Sequence, residues 1–269
     1  GNEMPTEFVS SFSTGIGGDT GTGEGIGDGS TPQILITSPT PNSYVKDLMN
    51  VVVSFTDSPK RIELWINDEK KQTITSPPSS PITFTEDTRN YTDGEKIVKV
   101  IGYYSNTTTS YSIRVTFDNT APSVLIQEPT EGKVISGTSA EIIVITADSP
   151  DGRLEKVELY IDGIFHSSLI SPTIPPNIFK FFLDTTAFLD GNHTIEVKAK
   201  DLAGNVGSSG TRNIKIDNTP PSGFFISPSN GSVVGGTVNV EVNASDNIGV
   251  SKVIFFANNS NICDAITGQ

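Results

Sequence analysis

Few side chains of this chain titrate near neutral pH: the sequence has two histidines, His166 and His193, and one cysteine, Cys263. Nucleophilic catalysis needs a base hydrogen-bonded to a serine or cysteine, and acid–base catalysis needs paired groups that meet in a cleft. His193 lies in the turn-like run Asp190-Gly191-Asn192-His193-Thr194, and His166 falls just after a predicted strand end. These positions do not favour a triad, so we predict no active site and no enzymatic activity.

Aspartate and asparagine recur in two similar runs, and their oxygens are the ligands that Ca²⁺ prefers in proteins. Asp118-Asn119-Thr120-Ala121-Pro122 is followed 99 residues later by Asp217-Asn218-Thr219-Pro220-Pro221. The same residue types also form hydrogen-bonded turns, and no EF-hand spacing is present, so both interpretations stay open. Ca²⁺ is therefore a candidate ligand, and we expect no cofactor that the chain requires.

Six Asn-x-Ser/Thr sequons indicate a different chemistry, N-glycosylation of an asparagine on the protein surface. The alternative is coincidence, because the chain is rich in Asn, Ser and Thr. The six candidate asparagines are Asn90, Asn106, Asn192, Asn230, Asn243 and Asn258.

Trp65 is the single tryptophan, and strand parity with inward-facing Leu64 and Ile66 turns it outward. Ile101 and Tyr103 face outward on the strand expected beside it. An exposed aromatic cluster on a sheet can bind a sugar or another protein. The alternative is that the adjacent linker, or a loop such as residues 75–81, covers this patch.

Charge and composition restrict the partners of the chain. The 18 basic and 31 acidic residues give a net charge of −13, which repels nucleic acid and anionic membrane surfaces. No apolar run approaches the roughly 18 to 20 residues that cross a bilayer, so we predict no membrane insertion. The start, Gly1-Asn2-Glu3, lacks the parts of a signal peptide, and we expect any targeting segment to be removed or upstream. A disulfide partner for Cys263 would have to lie beyond Gln269.

The elements that position these residues come from an internal repeat. Pro122 leads into Val124, Ile126, Pro129 and Gly132; corresponding runs start at Pro32 and Pro221. A period of about 90 to 99 residues is that of small independent domains. We predict a Gly-rich flexible segment at residues 1–30, domains at 31–120 and 121–219, and a partial domain at 220–269. A phosphate-binding loop in the first segment is disfavoured, because no Gly-Lys-Ser/Thr follows the glycines.

Within each repeat, apolar residues alternate with polar ones, which is the period of a strand with one buried face. Ala140, Ile142 and Val144 show it in the second repeat, and Val51 and Val53 show it in the first. Turn residues such as Asp162-Gly163 separate these runs. We predict an all-β fold of tandem antiparallel β-sandwiches, with about seven strands in each complete repeat.

Several motifs give the chain a family resemblance: Lys156 to Gly163, Asp190 to Thr194, and the turn Lys200-Asp201-Leu202-Ala203-Gly204-Asn205. The chain resembles the immunoglobulin-like domains of prokaryotic cell-surface and secreted proteins, most strongly over residues 121–219. In the first repeat, Tyr103-Tyr104-Ser105-Asn106 replaces the Asp-x-Ala-Gly-Asn turn. The resemblance implies an extracellular location and a sandwich architecture, with no particular reaction.

In such a sandwich, the linker, the loop after the second strand and the turn before the last strand meet at one pole. The candidate Ca²⁺ ligands therefore converge at the domain junctions. At the first junction they are Asp118, Asn119, Asp148, Asp151, Asp201 and Asn205, with Asp93 facing them, and at the second Asp217, Asn218, Asp246 and Asn247, with Asp190.

The sequence as a whole predicts a structural role. We expect a rigid multi-domain component of a cell-surface filament, stalk, adhesin or surface layer, which associates with itself or with other surface proteins or glycans. The alternative is a non-catalytic carbohydrate-binding or spacer region of a secreted hydrolase. The third repeat lacks about half a sandwich, and a fragment of a longer protein explains this better than strand donation by a neighbouring chain.

Overall fold

The computed structural model describes residues 31–151, 153–170 and 178–265, so the predicted Gly-rich segment at residues 1–30 lies outside the described residues. The described residues form β-strands and two short 3₁₀ turns, with no α-helix among them. The predicted all-β fold of tandem immunoglobulin-like sandwiches is confirmed.

The first domain is a sandwich of a three-stranded and a five-stranded sheet, in the orders β1-β3-β6 and β2-β8-β7-β4-β5. Between them lies a closed core that includes Val51, Leu64, Phe84 and Phe117. The strands are β1 (Ile34–Ser38), β2 (Tyr44–Val45), β3 (Leu48–Phe55), β4 (Arg61–Ile66), β5 (Glu69–Thr75), β6 (Ile82–Asp87), β7 (Gly94–Tyr103) and β8 (Thr108–Phe117).

The second domain repeats this plan with sheets in the orders β14-β11-β9 and β10-β17-β15-β12-β13, and β16 adds to β15. Its own core includes Ile142, Leu159, Phe181 and Val197. The strands are β9 (Ser123–Glu128), β10 (Val134–Ile135), β11 (Ala140–Ala147), β12 (Leu154–Ile161), β13 (Ile164–Ile170), β14 (Ile178–Leu183), β15 (Gly191–Asp201), β16 (Val206–Ser208) and β17 (Arg212–Ile216).

The pairing of the first strand in each domain differs from the purely antiparallel prediction. After β1, the chain turns and its continuation, β2, pairs in parallel with β8 through Tyr44 and Thr116. In the second domain, β10 pairs in parallel with β17 in the same way. Proline and turn residues separate the two halves of this strand. The first half therefore pairs in the three-stranded sheet, and the second half pairs in the larger sheet. The result is more strands than the predicted seven.

The third repeat contains two separate hairpin-like pairs in the described residues, β18 with β19 and β20 with β21. Neither buried core cluster includes a residue after Ile216, and Phe224, Phe225 and Phe256 are exposed. The strands are β18 (Ser222–Ser227), β19 (Glu241–Ser245), β20 (Val253–Ala257) and β21 (Ser260–Ala265). Val238, Val240 and Val242 alternate with polar residues and predict a strand, but β19 begins only at Glu241.

No helix among the described residues is long and apolar enough to cross a membrane. The fold brings three strand ends together, because β8, β11 and β15 all end near the pole of the second domain where the linker enters it.

Candidate functional site

Three aspartates from three strand ends meet at the joint between the first two domains. Asp118 directly follows β8 of the first domain, Asp148 directly follows β11 of the second, and Asp201 ends β15. One carboxylate oxygen from each lies within 4.8 Å of those of the other two. We call this group the joint aspartates. The sequence named all three as ligand candidates, and the structure brings them together.

The joint aspartates are withdrawn from solvent, and none of them forms an ion pair with another described residue. Asp118 is 1% exposed and Asp201 is 0% exposed. Both carboxylate oxygens of Asp148 are enclosed and lack a hydrogen-bond partner of good geometry among the described residues. A buried carboxylate of this kind costs free energy unless a cation or a proton neutralises it.

Burial and mutual repulsion raise the pKa of two of these carboxyls. Burial, followed by the charge of Asp201, raises the pKa of Asp118 to about 6. Burial, followed by the charges of Asp118 and Asp201, raises the pKa of Asp148 to about 7. The site therefore holds an excess of negative charge at neutral pH, and a hard divalent cation with oxygen ligands fits that donor set.

Asn205 supports the joint aspartates from the turn after β15. Its Nδ2 donates to Asp201 Oδ2 at 2.8 Å and to the carbonyl oxygen of Asp118 at 3.0 Å, and its backbone N–H donates to Asp201 Oδ1 at 2.8 Å. One amide thus ties the end of the first domain to the second domain. The predicted ligand Asn205 lies beside the site and orients a carboxylate.

Asn119 lies apart from the joint aspartates, because its side chain turns back into the first domain. Its Oδ1 accepts bonds from Asp47 N at 2.9 Å and Thr88 Oγ1 at 3.0 Å. Asp93 accepts a bond from Asn119 N at 3.0 Å and another from Thr120 Oγ1 at 2.5 Å. These contacts hold the chain that follows β8 against Thr88 and Asp93, at the end of the first domain that adjoins the second. The sequence analysis did not identify Thr88.

The second junction repeats this arrangement. Asn218 Oδ1 accepts bonds from Thr185 Oγ1 at 2.7 Å and Gly137 N at 3.3 Å, and Asp190 accepts from Asn218 N at 2.7 Å. Asp190 accepts hydrogen bonds from Thr219, from Asn218 N and from Asn247. These bonds, the one from Thr219 most of all, lower the pKa of Asp190 to about 2.

The carboxylates of the second junction do not form a comparable group in the described residues. Asp217 Oδ1 is enclosed without a hydrogen-bond partner. Asp246 Oδ1 accepts bonds from Ile248 N at 2.8 Å and Gly249 N at 2.9 Å, as in an ordinary turn, and Asn247 Nδ2 donates to Asp190 at 2.9 Å. The first junction is therefore the better candidate site.

Direct contacts between the first two domains surround the joint aspartates. Lys46 Nζ donates to the carbonyl oxygen of Gly204 at 2.7 Å. The Tyr44 hydroxyl donates to the Asp151 carboxylate, whose other oxygen accepts from Arg153 N at 3.2 Å. The predicted ligand Asp151 thus binds the first domain through Tyr44, and it is not part of the group that the joint aspartates form. No sequence pattern indicated Tyr44 or Lys46, which lie on the short strand β2 and directly after it.

The first domain shows how the same pole is built without an acidic group. Tyr104 follows β7 at the position that Asp201 occupies on β15. Its hydroxyl donates to the carbonyl oxygen of Thr56 at 3.2 Å and lies 3.4 Å from that of Gln33. A neutral hydroxyl closes this pole, whereas three carboxylates converge at the joint.

A family model described as a bacterial Ig domain matches the chain three times, over residues 32–100, 122–197 and 221–269. The chain belongs to the bacterial Ig domain family. None of the curated proteins compared with the chain matches it.

Solved structures are similar in fold to these bacterial Ig domains. A three-domain titin structure has a TM-score of 0.44 at 11% identity, over 88% of this chain and 82% of that chain. Fibronectin(III)-like modules of Clostridium thermocellum CbhA have a TM-score of 0.41 at 20% identity, over 68% of this chain and 93% of theirs. A tandem-repeat structure from the extending region of a large adhesion protein has a TM-score of 0.36 at 17% identity, over 80% and 62%.

The two histidines lie on the second bacterial Ig domain, near Phe188. His193 Nδ1 is 2.7 Å from Asp162 Oδ2 and Nε2 is 2.8 Å from the carbonyl oxygen of Leu189. Burial alone would lower the pKa of His193, but the bonds to these two acceptors outweigh it and raise the pKa. His166 Nδ1 lies 3.1 Å from Ser167 Oγ at the surface. His193 therefore holds the turn before β13 against β15.

The aromatic patch of the first bacterial Ig domain is organised around a buried carboxylate, Glu63, which is 4% exposed. Glu63 accepts bonds from Arg61 Nε and Trp65 Nε1, both at 3.1 Å, and from the Tyr103 hydroxyl at 3.0 Å. The Arg61 guanidinium lies 3.6 Å from the centre of the Tyr103 ring. Trp65, Ile101 and Tyr103 are half-buried. The polar groups of this predicted patch already bind one another.

The sequon asparagines all lie at the surface of the bacterial Ig domains. Asn90, Asn106, Asn192, Asn230, Asn243 and Asn258 are exposed. Cys263 is also exposed and forms no disulfide.

Proposed function

We propose that this chain is a rigid extracellular spacer, part of a cell-surface stalk, filament, adhesin or surface layer, and that Ca²⁺ fixes the joint between its first two domains. The observation that carries the proposal is the group of joint aspartates. One of them belongs to the end of the first domain and two belong to the second, so an ion among them links both.

A cation bound among the joint aspartates attracts all three carboxylates and so offsets the repulsion between them. Without one, the carboxylates of Asp118, Asp148 and Asp201 face each other in a site where burial weakens the screening by water. Ca²⁺ takes six to eight oxygen ligands, and carbonyl oxygens and water can complete the shell around three carboxylates. The direct contacts of Lys46, Tyr44 and Asn205 already set the domain orientation. The ion then stiffens a joint that these bonds align.

Calcium titration followed by thermal unfolding tests this proposal. Ligand at about 100 times its dissociation constant adds about 2.7 kcal/mol to the free energy of unfolding, which is a rise of about 10 °C or more for a domain of this size. We expect this rise with Ca²⁺ for the metal-free wild type, a smaller one with Mg²⁺, and none for Asp148→Asn. The matched control is Asp57→Asn, because Asp57 follows β3 at the corresponding position of the first domain.

The stiffness itself is measured by spin labels placed in the first and second domains. We expect a distance distribution that narrows when Ca²⁺ is added to the wild type and does not change in Asp148→Asn. A melting curve and a distance distribution that both ignore Ca²⁺ would show that the joint aspartates are a structural acidic group alone.

The alternative function, carbohydrate binding through the patch of Trp65, Ile101 and Tyr103, receives less support. The indole N–H of Trp65 and the hydroxyl of Tyr103 both donate to Glu63, and Arg61 covers the Tyr103 ring. We therefore expect Trp65→Ala to lower the stability of the first domain without changing retention on polysaccharide columns. Retention of the wild type that the substitution abolishes would instead favour the hydrolase-appendage function.

A further inference from the structure

The outer face of the three-stranded sheet of the second domain carries a row of exposed apolar side chains. Ile145 on β11 pairs directly with Leu125 on β9 and with Ile178 on β14, so the three side chains lie side by side across the sheet. Leu125 is 56%, Ile145 36%, Ile178 49% and Phe182 62% exposed. We call this surface the outer apolar face.

The first domain shows that its fold does not need an apolar surface there. By strand pairing, Ser54 holds the position of Ile145 and Thr85 holds that of Phe182. The Thr85 hydroxyl donates to Asn50 Oδ1 at 2.8 Å, as befits a face in contact with water. Leu35 holds the position of Leu125 and is 43% exposed, so the first domain keeps one apolar member of the row where the second domain has several. Exposed apolar clusters mark interaction sites.

Charge indicates which partner this face fits. The chain carries −13, so two copies repel each other wherever their acidic surfaces meet. On β9, β11 and β14 the charged residues are Glu128, Glu141 and Lys180, and each forms an ion pair: Glu141 with Lys180 at 2.6 Å and Glu128 with Lys133 at 2.8 Å. These two ion pairs leave the outer apolar face electrically neutral, and the pair of Glu141 and Lys180 lies on the two strands that carry Ile145 and Phe182.

We propose that the outer apolar face is the contact between two side-by-side copies of this chain. A two-fold contact brings the same patch of each copy together, so the patch must complement itself. Here the aliphatic rows pack on each other, and Lys180 of each copy meets Glu141 of the other. The proposal goes beyond the spacer function, because a stiff spacer can be monomeric.

The size of the face sets the strength of the contact. Three strands of six residues cover about 14 by 20 Å, or roughly 300 Å² for each copy. A stable complex buries about 800 Å² for each partner. One pair of outer apolar faces therefore associates weakly, and the dimer forms only at high protein concentration.

Sedimentation equilibrium at up to about 1 mM protein tests the proposal, in a Cys263→Ser background that excludes disulfide-linked dimers. We expect weak self-association, which Ile145→Lys lowers by about tenfold or more because it places a charge at the centre of the contact. The matched control, Ser54→Lys on the first domain, leaves the association constant unchanged. A second control, Phe224→Lys, tests the exposed apolar side chains of the third repeat. Circular dichroism checks that each variant is folded.

A charge exchange gives a test that does not depend on removing apolar surface. Glu141→Lys and Lys180→Glu each give a face with two like charges, so each variant alone should not associate, whereas a mixture of the two should. A wild type that stays monomeric, association lost only in Phe224→Lys, or an unaltered response in the charge variants would each overturn the proposal. Association that appears only after residues 1–30 are deleted would also overturn it, by showing that this segment covers the face.

Discussion

At the residue scale, Asp148 is the side chain whose environment departs furthest from that of a surface carboxylate. It lies in a turn after a strand, where aspartate is common, yet both of its oxygens are enclosed without a partner of good geometry among the described residues. Burial, followed by the charges of Asp118 and Asp201, raises its pKa to about 7, and the backbone N–H of Ser149 offsets this only in part. Asp246, by contrast, accepts bonds from two backbone N–H groups of its own turn.

This environment predicts how pH changes the stability of the metal-free protein. The pKa values of Asp118 and Asp148 are about 6 and about 7 in the folded chain, both raised from 3.8. The folded state therefore binds more protons than the unfolded state between about pH 4 and 7. The contribution of these groups to stability is fully present below pH 4 and is lost as pH rises through 6 and 7.

Differential scanning calorimetry of the metal-free wild type and Asp148→Asn measures this effect. We expect the variant to have the higher melting temperature of the two at pH 7.5, and the difference to shrink or reverse at pH 5. Saturating Ca²⁺ should restore the wild type at pH 7.5 and leave the variant unchanged. A difference between the two proteins that is the same at both pH values would contradict the assignment of raised pKa values to this site.

At the element scale, the chain that leaves each complete domain is held by the same pair of residue types, an asparagine and a threonine. Asn119 binds Thr88 and the backbone of Asp47, and Asn218 binds Thr185 and the backbone of Gly137. The threonine begins a 3₁₀ turn in each case, Thr88–Asn90 or Thr185–Ala187. The asparagine thus fixes the exit of the last strand against the turn that precedes β7 or β15.

Removal of one asparagine should therefore destabilise only its own domain. Asn119→Ala leaves the Asp47 N–H without an acceptor, whereas the Thr88 hydroxyl keeps the carbonyl oxygen of Asp47 at 2.9 Å. An unsatisfied donor of this kind costs about 1 to 3 kcal/mol. We expect the first domain to unfold at a lower denaturant concentration and the second domain to be unchanged. Asn218→Ala should have the opposite effect, and it should retain the response to Ca²⁺ because it does not touch the joint aspartates. Domain-specific tryptophan fluorescence of Trp65 reports the first domain.

At the scale of the whole molecule, the sequence predicts the parts that repeat and misses the contacts that do not. Alternation in Val51 and Val53, or in Ile142 and Val144, requires one buried face and is visible without coordinates. The convergence of Asp118, Asp148 and Asp201 follows from the resemblance to an immunoglobulin-like sandwich, which implies that the linker and these two strand ends share one pole.

Other features depend on contacts between residues far apart in the chain. The bond between Tyr44 and Asp151 spans 107 residues and has no local pattern. The side-chain direction of Asn119 is equally hard to predict from the sequence, because it depends on a hydrogen bond to buried Thr88, 31 residues earlier in the first domain. The same limit applies to the outer apolar face, since Ile145 reads as an ordinary strand residue until Leu125 and Ile178 are placed beside it.

The separation of the two cores predicts that the domains unfold independently. One core contains Leu64 and the other contains Leu159, both 0% exposed, and in the described residues neither core cluster includes a residue of the other domain. Leu→Ala at either site should cost about 2 to 5 kcal/mol, through lost apolar burial and the cavity that remains. We expect Leu64→Ala to shift only the transition reported by Trp65, and Leu159→Ala to shift only the other. Because the joint aspartates connect the domains, Ca²⁺ should bring the two transitions closer together in either variant. A single transition that moves as a whole in both variants, with or without Ca²⁺, would mean that the joint behaves as a continuous core and not as a hinge held by an ion.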